Sequence, residues 1–334
     1  MPIADASVLV TGGTGVLGAL VVDRLLADAR VRRVVVYSRD ELRQWEAAQR
    51  IGQDPRVRFF IGDVKDAPRL VRALHGVDHV VHAASAWAPA HERMNAEVLE
   101  HTNVGGTKAV IAACLEAGVA RAVLVSSCEA AAPTGLVGAT RLVAEELFVA
   151  ANAYGGGAFA VVRAPHLARG RRSLFASLAP DHPQPARLRH HPRATQFVAG
   201  GEAVTEAVLT ALGTALPGER LVPRARSASA SSIAALFGTE DRLAEGGAVP
   251  THERLVGPME EPYTSIVGDL LRVRPAGDEP REGSGAASAP ASGPASSPAS
   301  AAAAFQSNDR AALLPRAELR RFWAEELRAH GRTA

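Results

Sequence analysis

Short apolar runs recur along the first half of the chain. Each is followed by a stretch whose apolar positions repeat every three or four residues. Ser7–Val10, Val34–Tyr37, Val57–Ile61, His79–His82, Ala122–Val125 and Phe159–Val162 are strand-length and read as buried strands. Val16–Leu26, Glu41–Arg50, Ala67–Leu74, a long stretch reaching Glu116 before Gly118, and Leu136–Ala153 have helical spacing. Gly155-Gly156-Gly157 ends the last of these. Strands alternating with helices predict an α/β fold with a parallel sheet covered on both faces.

After Pro165 the pattern loosens, with more Pro, Arg and His. Residues 1–163 therefore read as the sheet-bearing domain, and 164–275 as a smaller C-terminal lobe that closes over a ligand. Residues 276–304 are rich in Ala, Ser, Pro and Gly and have too little apolar surface to order themselves, which predicts a linker. In 305–334, Leu313, Leu314, Leu319, Phe322, Trp323 and Leu327 repeat at helical spacing and predict a helix that docks back.

Composition narrows the function classes. A hydrophobic share of 47% and a charged share of 22% suit a chain with a packed core. The formal net charge of +2 gives no basic field for nucleic acid. No apolar run is long enough to span a bilayer, so the chain is expected off the membrane. The two cysteines, Cys114 and Cys128, have no paired Cys/His spacing. A reducing cytoplasm is expected, with neither disulfide nor metal site. The histidines between Asp181 and Arg193 lack helical ligand spacing and carry little weight as a metal or phosphate site.

Thr11-Gly12-Gly13-Thr14-Gly15-Val16-Leu17-Gly18 lies between the first strand and the first helix. Gly12 permits the tight turn, Gly15 lets a pyrophosphate approach the backbone, and Gly18 lets helix and strand pack closely. Helix N-terminal amides then face the phosphates. This spacing in this context predicts a Rossmann-like, doubly wound sheet that binds a dinucleotide. The second strand runs into Ser38-Arg39-Asp40. An acid at this place holds the ribose hydroxyls of NAD, whereas an arginine accommodates the 2'-phosphate of NADP. Ser38 and Arg39 favour NADP over NAD, and Asp40 can instead cap the following helix. Asp63 and Val64 follow the third strand and are placed for the adenine edge; a plain turn carboxylate is the alternative for Asp63.

The glycine turn, Tyr37–Leu42, Asp54–Val64, His82-Ala83-Ala84, Thr102–Thr107 and Gly138-Ala139-Thr140 resemble the extended short-chain dehydrogenase/reductases. More narrowly they resemble the inverting UDP-N-acetylglucosamine 4,6-dehydratases of bacterial surface-sugar biosynthesis. The resemblance implies that Gly12, Thr14, Gly15 and Gly18 hold the pyrophosphate, Ser38 and Arg39 the 2'-phosphate, and Asp63 and Val64 adenine. Ala83, Ala84 and Asn103 would line the nicotinamide side. His166, Arg171, Ser173, Arg193 and Arg224 fall where the family contacts a nucleotide-sugar such as a UDP-sugar. Guanidinium forks suit a diphosphate; a solvated surface charge is the alternative for each arginine.

The family's catalytic groups are replaced. Its Tyr-x-x-x-Lys pair falls on Val137 and Arg141, and no tyrosine in the chain is followed four residues later by lysine. Valine has no proton to exchange, and arginine stays charged. The Thr-Asp-Lys set falls on Ser127-Cys128-Glu129. Loss of a single acid/base group costs about 10²–10⁴ in rate. Two readings stay open. One is a lyase- or isomerase-like enzyme acting on a nucleotide-sugar through altered chemistry at Ser127, Cys128 and Glu129. The other is an inactive, NADP(H)-binding scaffold, sensor or partner subunit. The family also implies a homo-oligomer. His82 reads as a hydrogen-bonded strand-end histidine.

Overall fold

The computed structural model describes residues 3–86, 95–168, 174–180, 191–243, 253–275, 307 and 313–329. The linker 276–304, Arg171 and Ser173 lie outside the described residues.

The apolar runs form β1 (Ser7–Thr11), β2 (Arg33–Ser38), β3 (Val57–Ile61), β4 (His79–His82), β5 (Arg121–Ser127) and β6 (Ala158–Ala164). Alternation along the strands divides the core. Val8, Val10, Val34, Val36, Val81, Val123 and Val125 pack into one cluster with α1 (Val16–Ala27) and α8 (Gly201–Thr214). Leu9, Val35, Tyr37, Val80, Ala122 and Leu124 face the other way. They meet α3 (Ala67–Ala73), α5 (Gly106–Ala117) and α6 (Leu136–Ala150). The period of two puts successive side chains on opposite faces, so each strand contributes to both layers.

The main sheet has nine strands in the order β11-β12-β9-β6-β5-β4-β1-β2-β3. Pairing is parallel from β3 through β9 (Arg220–Pro223). The last two strands, β11 (Thr264–Val267) and β12 (Leu270–Val273), join antiparallel. Strand order reverses between β1 and β4, the switch point where open α/β sheets bind ligands beyond the carboxyl ends of their strands.

Two features of the sequence pattern look different in three dimensions. The chain beyond residue 163 returns to the main sheet, because β9 pairs with β6, and α8 packs on α1. The sheet and the lobe therefore interleave along the chain. The long helix before Gly118 is continuous but changes its hydrogen-bond register along the way. It comprises α4 (Ala96–Leu99), a π-helical segment (Glu100–Gly105) and α5. Single-turn π segments in helices are frequent at functional sites.

At Pro165 the chain leaves β6 and enters a second sheet, ordered β10-β8-β7. Its strands are β7 (His166–Leu167), β8 (Thr195–Ala199) and β10 (Arg226–Ser229). Beside it pack α7 (Leu174–Leu178), α9 (Ala230–Phe237) and the C-terminal α10 (Arg316–Ala329). Trp323 of α10 stacks on Phe175 with centroids 5.0 Å apart, and Leu319 is fully buried. Leu319, Phe322 and Trp323 of α10 belong to the apolar cluster packed there. Among the described residues, no helix is long and apolar enough to cross a membrane.

Candidate functional site

The floor of the switch-point crevice is backbone. Gly12 has φ +65°, and a Cβ there would stand 2.8 Å from the Ala84 backbone at the end of β4. A Cβ on Gly18 would stand 2.2 Å from the Gly12 carbonyl oxygen. Gly15 is the N-cap of α1 and has no side-chain cap. Among the described residues beyond its chain neighbours, a Cβ on Gly15 would meet the Gly12 carbonyl oxygen alone within 4 Å, at 3.1 Å. The start of α1 is thus uncapped by any side chain, and free N-terminal amides suit an anion.

One strand over, the Thr14 and Ser38 hydroxyls are hydrogen-bonded at 2.9 Å. Asp40 accepts from the Arg43 amide at 3.0 Å and caps α2 (Glu41–Ile51). Arg39 is exposed and lies 3.9 Å from the Asp63 carboxylate, which also faces Lys65 at 3.7 Å. Tyr37, whose hydroxyl burial pushes up to about 12, donates to the Asp63 carbonyl at 2.9 Å. Val64 is buried against Gly106, where a Cβ would come within 2.9 Å of it.

The wall beyond Ala83 and Ala84 is tied by hydrogen bonds. Asn103, in the π segment, accepts from the Ala86 amide at 2.8 Å and donates to Thr140 of α6 at 3.0 Å. His82 bridges Thr11 at 2.7 Å and Thr107 at 3.2 Å. The Thr107 hydroxyl donates to the Asn103 carbonyl at 2.6 Å, so the network assigns the His82 proton to Nε2. Burial, together with the charge of Arg141, pulls His82 down to about 4. It is a neutral linker, as its place at a strand end suggested.

A small pocket with room for about one water is lined by Ala84, Ser85, Asn103, Ser126 and Arg141, among others. Arg141 is buried and donates from Nη2 to the Ser85 hydroxyl at 2.8 Å. Its Nε has no hydrogen-bond partner among the described residues. Burial lowers its pKa, opposed by the carboxylates of Glu129 and Glu145. Val137, one turn before it, is 2% exposed.

The polar groups after β5 and β6 converge. Ser127 pairs in register with Ala164, so Cys128 and His166 emerge side by side from adjacent strands. Ser127 donates to Glu129 at 3.0 Å. Cys128 and His166 instead meet Glu253: His166 Nε2 lies 2.7 Å from Oε1, and the Cys128 thiol is 3.5 Å from Oε2. The Cys128 sulfur and the His166 ring lie within 4.8 Å of each other. Burial, with the Glu253 charge, pushes the thiol up to about 11. Burial pushes the imidazole down, but Glu253 and Cys128 reverse this and hold His166 well above its ordinary range.

Glu253 is invisible to sequence reasoning, since its segment has no motif or periodicity. Arg193 and Arg224 are exposed, and the latter follows β9.

The family model described as "Polysaccharide biosynthesis protein" matches residues 8–235. The chain belongs to this family. Its relatives include an inverting UDP-N-acetylglucosamine 4,6-dehydratase of Campylobacter jejuni subsp. jejuni serotype O:2. That relative is 42% identical over 151 residues, 45% of either chain. The chain thus matches about half the length of the curated relatives. The structure of Pen from Bacillus thuringiensis superposes with a TM-score of 0.73 at 24% identity, covering 82% of this chain and 90% of that one. DesIV, a dTDP-glucose 4,6-dehydratase from Streptomyces venezuelae solved with NAD and DAU bound, gives 0.57 at 23% identity, over 64% and 74%. The structural matches agree with the doubly wound fold, and the sequence matches with the dehydratase resemblance.

Proposed function

We propose that this chain binds NADP(H) in the β1/β4 crevice and a nucleotide-sugar beside it, and that its chemistry departs from 4,6-dehydration. The observation that carries the cofactor reading is the division of labour at the end of β2. Asp40, the acid that could hold an unphosphorylated ribose, is committed to capping α2, while Arg39 is left exposed. The Thr14–Ser38 hydroxyl pair between it and the glycine turn adds donors for a phosphate. A fixed guanidinium with flanking hydroxyls favours a 2'-phosphate. The glycine geometry fits a pyrophosphate, with Gly15 as the open approach. Names of similar proteins, which include UDP-sugar and dTDP-sugar enzymes, support the nucleotide-sugar half.

When bound, the nicotinamide supplies a hydride acceptor and donor. The residues beside it differ from those such chemistry uses in the dehydratases that this chain resembles. Val137 has no exchangeable proton, and Arg141 holds a permanent charge against Ser85. Proton handling then falls to Ser127, Cys128, Glu129 and His166. This supports altered chemistry. The same valine favours a second reading, a non-catalytic NADP(H)-binding partner subunit.

Calorimetry with NADPH and NADH tests the cofactor reading: NADPH should bind tighter, and equal affinities or no heat for either would refute it. Incubation with NADP+ and UDP-N-acetylglucosamine or other UDP-sugars separates the two functional readings. Reduced cofactor or a new sugar supports altered chemistry, and binding without turnover supports the partner role.

A further inference from the structure

Cys128, His166 and Glu253 bring one sulfur, one imidazole nitrogen and one carboxylate oxygen within 4.8 Å of one another. Cys128 and His166 are almost fully buried, and the Glu253 side chain is 19% exposed. The trio lies outside the glycine turn and the Ser38–Arg39 site, and it shares Cys128 and His166 with the proton-handling set proposed above, so a bound metal would take those two side chains out of proton transfer. The three side chains come from three separate parts of the chain: the end of β5, the crossing at Pro165, and the loop before Leu255.

We propose that the three side chains form a site for a single Zn²⁺ ion. Thiolate, imidazole and carboxylate are the donors zinc prefers, and three protein donors leave one corner of a tetrahedron for water or a substrate oxygen. Bonds of about 2.0–2.3 Å set donor–donor edges of about 3.3–3.7 Å in such a tetrahedron. Cys128 Sγ to Glu253 Oε2 is already 3.5 Å. His166 Nε2 now lies 2.7 Å from the other oxygen, Oε1, and the carboxylate must turn so that one oxygen serves as the donor. Binding exchanges protons for the metal: the thiol proton and an imidazole proton leave as the two bonds form.

The surroundings hold the carboxylate as outer partners of a metal ligand do. The Phe197 amide donates to Oε2 at 2.9 Å, and Gln196 Nε2 donates to Oε1 at 3.4 Å. The backbone of Glu253 is clamped to Ser307 in both directions, at 2.7 and 2.9 Å. His166 is fixed by its register partner Val198 in β8, next to Phe197. Glu253, as the partly exposed member, marks the entry path. The inference uses protein atoms only and does not depend on which dinucleotide or sugar the chain takes.

The test uses the untagged full chain, stripped with a chelator and titrated with Zn²⁺ and then with Co²⁺. One equivalent of retained zinc is expected, and the cobalt form should show a thiolate-to-cobalt charge-transfer band. The chain has two cysteines, so persistence of that band in Cys114→Ser assigns it to Cys128. Cys128→Ser should lose the band, and Glu253→Gln should weaken zinc by more than the 10–100-fold typical of an outer partner. Where Cys128→Ser does not fold, the Cys114→Ser spectrum alone decides. Substoichiometric zinc in the wild type, or cobalt bound without the thiolate band, overturns the proposal and leaves the trio as a hydrogen-bonded cluster.

Discussion

Arg141 of α6 donates to the hydroxyl of Ser85, just beyond β4, over 2.8 Å, and so fastens α6 to the wall of the switch-point crevice. The family resemblance implies that this guanidinium takes the place of a lysine, and Val137 that of a tyrosine. Exchanging both, Val137→Tyr with Arg141→Lys, is expected to leave UDP-N-acetylglucosamine 4,6-dehydration absent. The pair would return, but Cys128 and Glu129 would still stand where an acid and a lysine are needed. Assaying the keto-sugar product checks this, and vigorous dehydration by the double variant would contradict it.

Arg39 offers a sharper cofactor test because its side chain is exposed and its loss should not disturb the core. Arg39→Ala is expected to weaken NADPH by about 10–100-fold, the scale of a charged hydrogen bond, and to leave NADH nearly unchanged. Isothermal calorimetry with both dinucleotides reads the difference. Parallel losses for the two would mean that the guanidinium does not meet the 2'-phosphate.

The glycine turn and the first six strands were legible because each local signal agreed with the fold. Positive φ at Gly12 and the close approach at Gly18 require glycine, and strand-length apolar runs can satisfy two faces only inside a covered sheet. The closeness of Cys128 and His166 was implicit too, since both follow neighbouring strands. The lobe was not legible. Its strands are short and polar, such as Arg226–Ser229, and are buried by their neighbours rather than by their own pattern. Glu253 is placed by Ser307 and Phe197, contacts that span 54 and 56 residues and leave no periodic trace.

Two alanine substitutions separate packing from backbone conformation. Gly18→Ala forces a methyl to within 2.2 Å of the Gly12 carbonyl. It should cost at least the 1–3 kcal/mol typical of overpacking, about 3 kcal/mol here, and abolish dinucleotide binding. Gly52→Ala meets open space, but φ +73° with ψ −152° is a region essentially restricted to glycine, and the change should cost about 1–3 kcal/mol from conformation alone. Urea unfolding compares them; equal losses would show that the close approach is relaxed by backbone movement.

His82 gives the fold a defined acid sensitivity. Its folded pKa of about 4 lies below the ordinary 6.5 because burial disfavours the charged ring. Between those values the unfolded chain takes up a proton that the folded chain refuses. This contribution to stability is complete above pH 6.5, falls as pH drops toward 4, and levels off below. The total is about 3 kcal/mol. Protonation would also cost the bond that His82 Nδ1 accepts from Thr11. His82→Gln should flatten this part of the stability profile between pH 4 and 7, measured by urea unfolding. An unchanged slope in the variant would place the acid sensitivity elsewhere.

The deepest charges in the protein hold the loop that carries Glu253. Arg163, fully buried at the end of β6, donates to Glu145 of α6 at 2.5 Å, to Glu260 at 2.7 Å and to the Leu255 carbonyl at 3.2 Å. Arg220 adds a contact to the same Glu145 at 3.2 Å. Burying charges is costly, and the set is stable only while each has its partner. Glu145→Gln leaves two guanidinium groups competing for Glu260 and the exposed Glu146. It should cost about 3–5 kcal/mol, more than any surface ion pair. Replacing Arg163 and Glu145 together by Met and Leu removes the two fully buried charges, leaves Arg220 to Glu260 and Glu146, and should recover much of that loss. Hydrogen exchange should show residues 253–257 opening more often in Glu145→Gln, because Arg163 would then pull on Leu255 and Glu260 without its counterweight. Full stability in the single variant would mean that Arg163 and Arg220 are held by Glu260 and Glu146 without help from Glu145.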